Sequence, residues 1–303
     1  MSMLLYIQLW VSKLYQTKLS LLRILLQSTF SNIVKGNMQQ KGLLILGNGP
    51  SLTDTFATTD LKAIQSFDLL AVNNAANDDK FSEIKPKYYL LNAVTYFQED
   101  DELNEFYIQT NRTLFESLKS KTTWDMTLLL PFRARKSKAI SSLLVSNSHL
   151  KSAYFNQTPI EGFAFFTHCW YSKGLGMPRP HNVLIPGIMV GIRLGYRHIT
   201  IVGADHSWLK DLSVNEKNEA LLRHVHYYDP EGSKPMKVED RIAQPRKLHE
   251  IIHKFYLSFQ GYWIIKDFAK HKGITIINAS KVSMIDAFER KELTSMLTEL
   301  ADK

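Results

Sequence analysis

LLILGNGPSL, residues 43–52, is an apolar run that leads into two glycines, an asparagine and a serine, and then into a helix-like segment. Such an order is typical of a buried strand that ends in a tight strand-to-helix turn. The spacing differs from the dinucleotide-binding fingerprint, and no Lys-Ser/Thr pair completes a P-loop. Two interpretations stay open: the turn and helix N-terminus hold a phosphate or nucleotide, or Ser51 simply caps the helix.

Similar apolar runs recur after residue 41 and alternate with helical stretches. The predicted strands are GLLILGN (42–48), DLLAVNN (68–74), YYLLNA (88–93), MTLLLP (126–131), HITIVGA (198–204) and ITIINA (274–279). The predicted helices cover about 52–66, 101–120, 183–195, 246–272 and 282–300. Because near-continuous apolar strands are typical of a parallel sheet buried on both faces, the pattern predicts an α/β, Rossmann-like fold with a mostly parallel sheet.

Two long segments interrupt this alternation. Residues 132–180 mix basic and aromatic residues, and residues 205–245 are polar and contain HVHYYDPEG. Long irregular insertions in a compact domain are usually functional, and open α/β sheets bind ligands beyond the carboxyl ends of their strands. We therefore expect both segments to form walls of a binding site, with 205–245 as a lid-like insertion in a domain that covers 41–303.

The composition is that of an ordinary globular chain with a basic bias. Hydrophobic residues make up 45% of the 303 residues and charged residues 22%. The single cysteine, Cys169, excludes an internal disulfide framework and a cysteine-based zinc site, which suits a reducing compartment. A formal charge of +8 favours an anionic partner such as a nucleotide or a membrane surface.

The first 40 residues carry this bias most clearly, because no Asp or Glu precedes Asp54. The pattern of residues 1–35 predicts a basic amphipathic helix with an interruption. Its uncharged stretch is too short to span a bilayer. Its apolar side consists of Leu4, Ile7, Val11, Leu14, Leu22, Leu25 and Leu26. Such a helix binds an anionic membrane face, or it packs on the main domain or on a second subunit; the pattern leaves both open.

Asparagine recurs where the first three predicted strands end. Asn48 ends the first strand, Asn73 and Asn74 the second, and Asn92 the third. Asn is rare inside strands, although it tolerates turns by bonding its own backbone. Because parallel strands end at one edge of a sheet, we expect these amides to converge on a crevice and to bind a base, ribose or sugar.

The fifth predicted strand ends in an acid and an imidazole, Asp205 and His206. Such a pair suits acid–base chemistry or metal binding, whereas Asp205 would also serve as a cap for the following turn. Two further histidines stand in pairs, since His226 ends an HVH tripeptide and His249 opens an HEIIH sequence. Neither pair has a convincing third ligand, so we predict no metal site.

Taken in order, GNGPS, FDLLAVNN, YYLLNAVTYF, LGYRHITIVGADHSW and GITIINAS resemble the bacterial CMP-sialic-acid-dependent sialyltransferases of lipooligosaccharide and related transferase-like proteins. The resemblance covers roughly residues 42–93 and 180–280. It implies an inverting, metal-independent transfer of sialic acid or a related acidic sugar from a CMP-activated donor to a cell-surface glycan precursor, with no cofactor.

The resemblance also assigns roles to individual residues. The donor nucleotide would be held by Gly47, Asn48, Gly49, Pro50, Ser51, Asn73 and Asn92, with Asp205 and Tyr227 at the same site. A histidine would act as the base on the acceptor hydroxyl, the candidates being His249, His226 and His206. Apart from the resemblance, a nucleotide leaving group needs positive groups where its charge develops, so Arg179 or Arg223 would stabilise the departing phosphate; the alternative is that both are solvated surface charges. The sequence departs from the family after the G-x-D segment, where His206, Ser207 and Trp208 replace the expected tyrosines.

Two other functions stay open: a Mg²⁺-dependent diphosphokinase or phosphotransferase, and a non-enzymatic, membrane-docked nucleotide-binding protein. The expected partners of the transferase are a nucleotide-sugar donor, a glycan or lipid-linked glycan acceptor and an anionic membrane surface, with no nucleic acid. These partners would place the protein in the cytoplasm, peripheral on the inner face of the cytoplasmic membrane. A homo-oligomer is left open.

Overall fold

The computed structural model describes residues 3–31, 33, 42–223, 236–238 and 244–301. The helices are α1 (Met3–Gln27), α2 (Ser51–Thr58), α3 (Leu61–Ile64), α4 (Phe81–Ile84), α5 (Glu105–Lys121), α6 (Lys138–Ser146), α7 (Ala164–Ser172), α8 (Leu184–Leu194), α9 (Leu248–Lys272) and α10 (Leu293–Ala301). The strands are β1 (Leu43–Leu46), β2 (Asp68–Val72), β3 (Tyr88–Leu90), β4 (Met126–Pro131), β5 (Leu150–Phe155), β6 (His198–Val202), β7 (Leu212–Val214), β8 (Ala220–Leu222), β9 (Met236–Lys237), β10 (Thr275–Asn278) and β11 (Glu289–Arg290).

The centre of the protein is an eight-stranded sheet in the order β11-β10-β6-β1-β2-β3-β4-β5. Every pair of neighbouring strands in it is parallel. The chain runs outward from β1 through β2 to β5 and then returns to the other side of β1 as β6. The predicted α/β, Rossmann-like fold with a mostly parallel sheet is confirmed.

Helices cover the sheet on both faces because successive side chains of a strand point to opposite sides. In β1, Leu43 and Ile45 pack into a cluster with residues of α8 and α9. Leu44 and Leu46 pack on the other face with Leu52 of α2. All four residues of β1 are buried, which explains why this strand reads as a continuous apolar run.

Two sequence-based expectations differ from the structure. Residues 132–180, expected to be irregular, contain α6, the edge strand β5 and α7. The sequence does not predict β5, because it is a half-exposed edge strand in which Lys151 and Ser152 interrupt the apolar residues. The helix predicted at 282–300 begins only at Leu293, because the preceding residues form loops and the short strand β11.

The segment expected to be a lid contains a small antiparallel sheet in the order β7-β8-β9. Residues 224–235 and 239–243, which include the predicted site residues His226 and Tyr227, lie outside the described residues. At the other end of the chain, α1 is one continuous helix of 25 residues rather than the interrupted helix expected. Within the described ranges, no helix is long and apolar enough to cross a membrane.

Candidate functional site

A cavity of about 310 Å³ lies at the carboxyl edge of the sheet, beside the end of β1. Here the strand order reverses, since β2 lies on one side of β1 and β6 on the other. The cavity wall comes from the turns after β1, β2 and β6, from the segment before α8, from β8 and from one side of α9. Such a reversal point is where open α/β sheets bind their ligands.

The Gly-rich turn after β1 packs tightly against the turn after β6. The backbone N–H of Gly47 donates to the carbonyl of Val202 and that of Gly49 to the carbonyl of Gly203, both at 2.8 Å. A Cβ at Gly47 would lie 2.4 Å from the Gly203 oxygen, and one at Gly49 would lie 2.3 Å from Oδ1 of Asp205. The two glycines are therefore required by the close approach of the turns, and both line the cavity.

Asp205 connects these two turns through its carboxylate. It accepts hydrogen bonds from the backbone N–H of Ser51, at 3.0 Å, and from the Ser51 hydroxyl. Burial raises the pKa of Asp205, and the two bonds from Ser51 act in the opposite direction. The sequence predicts that the start of α2 could bind a phosphate. In the structure, the carboxylate of Asp205 already occupies this position. Ser51, a predicted donor-binding residue, lies outside the cavity wall.

Two asparagine oxygens on the cavity wall have no hydrogen-bond partner. Asn48 donates from Nδ2 to the carbonyl of Val72 at 3.1 Å, which leaves its buried Oδ1 unpaired. Asn73 has a left-handed backbone (φ 50°), and its buried Oδ1 is unpaired as well. Both residues were predicted from their positions at strand ends, and both line the cavity.

A third amide of the cavity wall, Asn182, has the opposite polarity. Its Oδ1 accepts two backbone N–H groups at the start of α8, at 2.9 and 3.2 Å, and the hydroxyl of Tyr262 at 2.9 Å. This leaves the buried Nδ2 as an unpaired donor. The sequence analysis missed Asn182, although its place directly before an apolar helix is a recognisable capping signal.

Buried polar atoms without partners are rare and cost free energy. Three residues of the cavity wall each carry one: the oxygens of Asn48 and Asn73, which need donors, and the Nδ2 group of Asn182, which needs an acceptor. A ligand with several hydroxyl groups supplies both kinds of partner, since a hydroxyl donates and accepts. The cavity is therefore suited to a polyhydroxylated ligand.

His206, a predicted base, is buried next to this set of amides. The Tyr262 hydroxyl donates to Asn182, so it accepts the proton on Nε2 of His206, at 2.6 Å. Burial lowers the pKa of His206 to about 3. The ring is therefore neutral at physiological pH and a weak proton acceptor. Its role in the structure is to orient Tyr262 and, through it, Asn182.

A different histidine, His181, lies at the mouth of the cavity. Partial burial and the positive charges of Arg179 and Lys254 lower the pKa of His181, so its imidazole is neutral near pH 7. His181 is not among the candidates predicted from the sequence, which are His206, His226 and His249. Its signal was the position of the PRPHN sequence directly before α8, at the carboxyl edge of the sheet.

Several predicted residues are not brought to the cavity. Asn92 bonds Gln157 and the carbonyl of Pro180 instead. His249 is exposed in the first turn of α9, whereas Lys254, Phe255 and Ser258 of the same helix line the cavity. Of the two arginines named for the departing phosphate, Arg223 lines the cavity. The other, Arg179, forms a bidentate ion pair with Glu161.

The charged groups on the cavity wall are the cations Arg223 and Lys254 and the acids Asp205 and Asp211. Both oxygens of Asp205 accept hydrogen bonds from Ser51, and Asp211 accepts one from Ser207. Among the residues that the structure describes, no group of three or more His, Cys, Asp or Glu side chains is arranged to hold a metal ion.

No family model matches this sequence, and no curated protein matches it. Among solved structures, the chain is similar to the MAf glycosyltransferase from Magnetospirillum magneticum AMB-1, with a TM-score of 0.47 and 12% identity. The match covers 94% of this chain and 39% of that protein, so the chain spans well under half of its length. A likeness at this level identifies neither a family nor a substrate.

Proposed function

We propose that the cavity binds a nucleotide-activated sugar and that the protein is an inverting glycosyltransferase that needs no metal ion. The observation that carries this proposal is that Asn48, Asn73 and Asn182, each with one buried and unpaired amide atom, line one cavity at the reversal point of the sheet. Sugar and ribose hydroxyls pair with amides of both polarities. The cations Arg223 and Lys254 on the same wall offset the charge of a phosphate or of an acidic sugar.

In the proposed reaction, His181 acts as the general base. The acceptor hydroxyl attacks the anomeric carbon of the sugar while its proton passes to the neutral imidazole. The bond from the anomeric carbon to the phosphate oxygen breaks, and the nucleotide leaves with the electron pair. Arg223 and Lys254 stabilise the negative charge that develops on the phosphate, which is where catalytic stabilisation is most effective.

The finer part of the proposal concerns the substrates. The proposed donor is a CMP-activated acidic sugar such as sialic acid, and the proposed acceptor is a lipid-linked or cell-surface glycan precursor. Both are inferred from the motif series that begins with GNGPS. The cations Arg223 and Lys254 on the wall would pair with a donor that carries a carboxylate in addition to its phosphate.

A nucleotide panel tests the proposal. The full-length protein is mixed with CMP, CMP-sialic acid, UDP, GDP or ATP with Mg²⁺, and the thermal midpoint is measured with and without EDTA. Stabilisation by a cytidine nucleotide that EDTA leaves unchanged supports the proposal. Stabilisation only by ATP with Mg²⁺ indicates a phosphotransferase, and stabilisation by none of the nucleotides contradicts a nucleotide-sugar donor.

A further inference from the structure

The N-terminal helix α1 docks on the rest of the protein through the side that carries its hydrogen-bonding groups and the buried side chain of Ile24. The hydroxyl of Ser20 donates to the carbonyl of Glu161 at 2.9 Å and accepts from the backbone N–H of the same residue at 2.8 Å. Arg23 forms an ion pair with the Glu161 carboxylate at 3.2 Å. One turn earlier, the Thr17 hydroxyl accepts the N–H of Phe163 at 3.1 Å. These contacts cover the side of α1 that carries its hydrogen-bonding groups.

The apolar side of α1 faces away from the protein. Spacings of three, four and seven residues bring its members to one side of the helix. They are 46–74% exposed and comprise Leu4, Ile7, Val11, Leu22, Leu25 and Leu26. An amphipathic helix on a globular domain normally buries this side. In this protein the domain covers the opposite side, where Ser20 and Ile24 are buried, so the exposed apolar side is available to another partner.

The first turns of α1 indicate which partner covers this side. Residues 3–11 include eight large apolar or aromatic side chains, each at least 45% exposed, on all sides of the helix. Pairing with a second helix would cover only one stripe of them, whereas a lipid surface surrounds an inserted segment. The first charged residues are Lys13 and Lys18, which are exposed, and no acid precedes Asp54. This charge distribution is complementary to anionic lipid headgroups.

We propose that α1 docks the protein on an anionic lipid surface, with its first turns and apolar side in the headgroup region and Lys13 and Lys18 at the lipid phosphates. The helix is tied to the mouth of the cavity, because Glu161 binds both Arg23 of α1 and Arg179, two residues before His181. This inference is independent of the proposed enzymatic activity.

Vesicle binding without any substrate tests this docking. Full-length protein is sedimented with vesicles of phosphatidylglycerol and phosphatidylcholine, or of phosphatidylcholine alone, at low salt. The double variant Val11→Glu/Leu22→Glu should bind the anionic vesicles about 100-fold or more weakly, because two apolar side chains that would be buried in the lipid are replaced by charged ones. Val145→Glu is the matched control, since Val145 is 88% exposed on α6, and it should bind like the wild type. Circular dichroism verifies that the variants are folded.

A second pair of substitutions tests the charge contribution. Lys13→Gln and Lys18→Gln should each weaken binding to anionic vesicles by about fivefold and leave binding to neutral vesicles unchanged. Analytical ultracentrifugation without lipid provides the opposing outcome. The proposal is overturned if the wild type binds no vesicles and forms a dimer that the Val11→Glu/Leu22→Glu variant does not form. A second copy of the chain would then cover α1.

Discussion

The cavity at the sheet edge and the helix α1 are incomplete in opposite ways. On the cavity wall, Asn48, Asn73 and Asn182 each have one buried amide atom without a hydrogen-bond partner. In α1, Ser20 and Arg23 have polar partners on the domain while the apolar side remains exposed. The missing partner of the cavity is therefore polar, and that of α1 is apolar and extended.

This difference shows that the chemistry of an exposed or unpaired group indicates what kind of partner it binds. Unpaired buried amides identify a ligand by hydrogen bonding, because only a polar molecule removes their desolvation cost. An exposed apolar side identifies a partner by area and charge, because burial of apolar surface is not directional. The following experiments test the polar half of the comparison.

The largest effect is expected from His181, the proposed base. His181→Gln should lower kcat by about 10²- to 10⁴-fold in a sugar-transfer assay with saturating donor, since a general base is lost. Donor affinity, measured by calorimetry, should change little. His249→Gln is the control, because His249 is exposed away from the cavity and its variant should keep normal kcat. A normal kcat in His181→Gln would remove His181 from the mechanism.

The next effect concerns the unpaired donor. Asn182→Asp keeps the oxygen that caps α8 and binds Tyr262, but it replaces the Nδ2 donor with a carboxylate oxygen. We expect donor affinity to fall by about 5- to 150-fold, the equivalent of losing one buried polar contact. Asn73→Gly, which tolerates the left-handed backbone, should have a similar effect through loss of an acceptor. Unchanged affinity in both variants would show that the amides do not contact the ligand.

A smaller effect is expected on stability at the contact between the two turns. Asp205→Ala leaves the N–H and hydroxyl of Ser51 without their acceptor, at a cost of about 1–3 kcal/mol in the free energy of unfolding. The measurement is urea denaturation, with Asp101→Ala at an exposed position as the control. If both variants unfold at the same urea concentration, Asp205 does not hold the turns together.

The smallest effect is a change in pH dependence. The charged and titratable groups around His181 are Arg179, Lys254, His253 and Glu161. Because the base must be neutral, kcat/KM should fall at acidic pH, with the midpoint below the ordinary pKa of histidine. Lys254→Gln removes a positive charge that disfavours the imidazolium ion, so the pKa of His181 rises and the acidic limb moves to higher pH. If the acidic limb of the kcat/KM profile does not move in Lys254→Gln, a group other than His181 causes that limb.

Part of the candidate site follows from the sequence and part does not. Asn48 and Asn73 reach the cavity because β1 and β2 are neighbours. Asn92 has the same sequence signal, but β3 lies two strand spacings from β1, or about 10 Å, and its amide finds Gln157 instead. Strand order is a property of the folded sheet, so the pattern at a strand end does not say which ends meet.

His249 and His181 illustrate the same limit for the base. His249 begins α9, but its side chain is exposed, whereas residues one and two turns later on that helix line the cavity. His181 stands in a short segment without periodicity, and its place at the mouth depends on where α8 and α9 pack. The predicted residues His226 and Tyr227 lie outside the described residues, so their roles stay predictions.

The sequence by itself determined the strands at β1, β2, β3, β4, β6 and β10, the parallel sheet and the apolar stripe of α1, because hydrophobic periodicity acts locally. The tertiary structure decided which strand ends meet at the cavity, which amide atoms stay unpaired there, and which side of α1 faces the domain. These features depend on contacts between residues distant in the chain, such as Ser51 with Asp205 and Ser20 with Glu161. Local patterns give the sides of an element, and only packing decides what each side contacts.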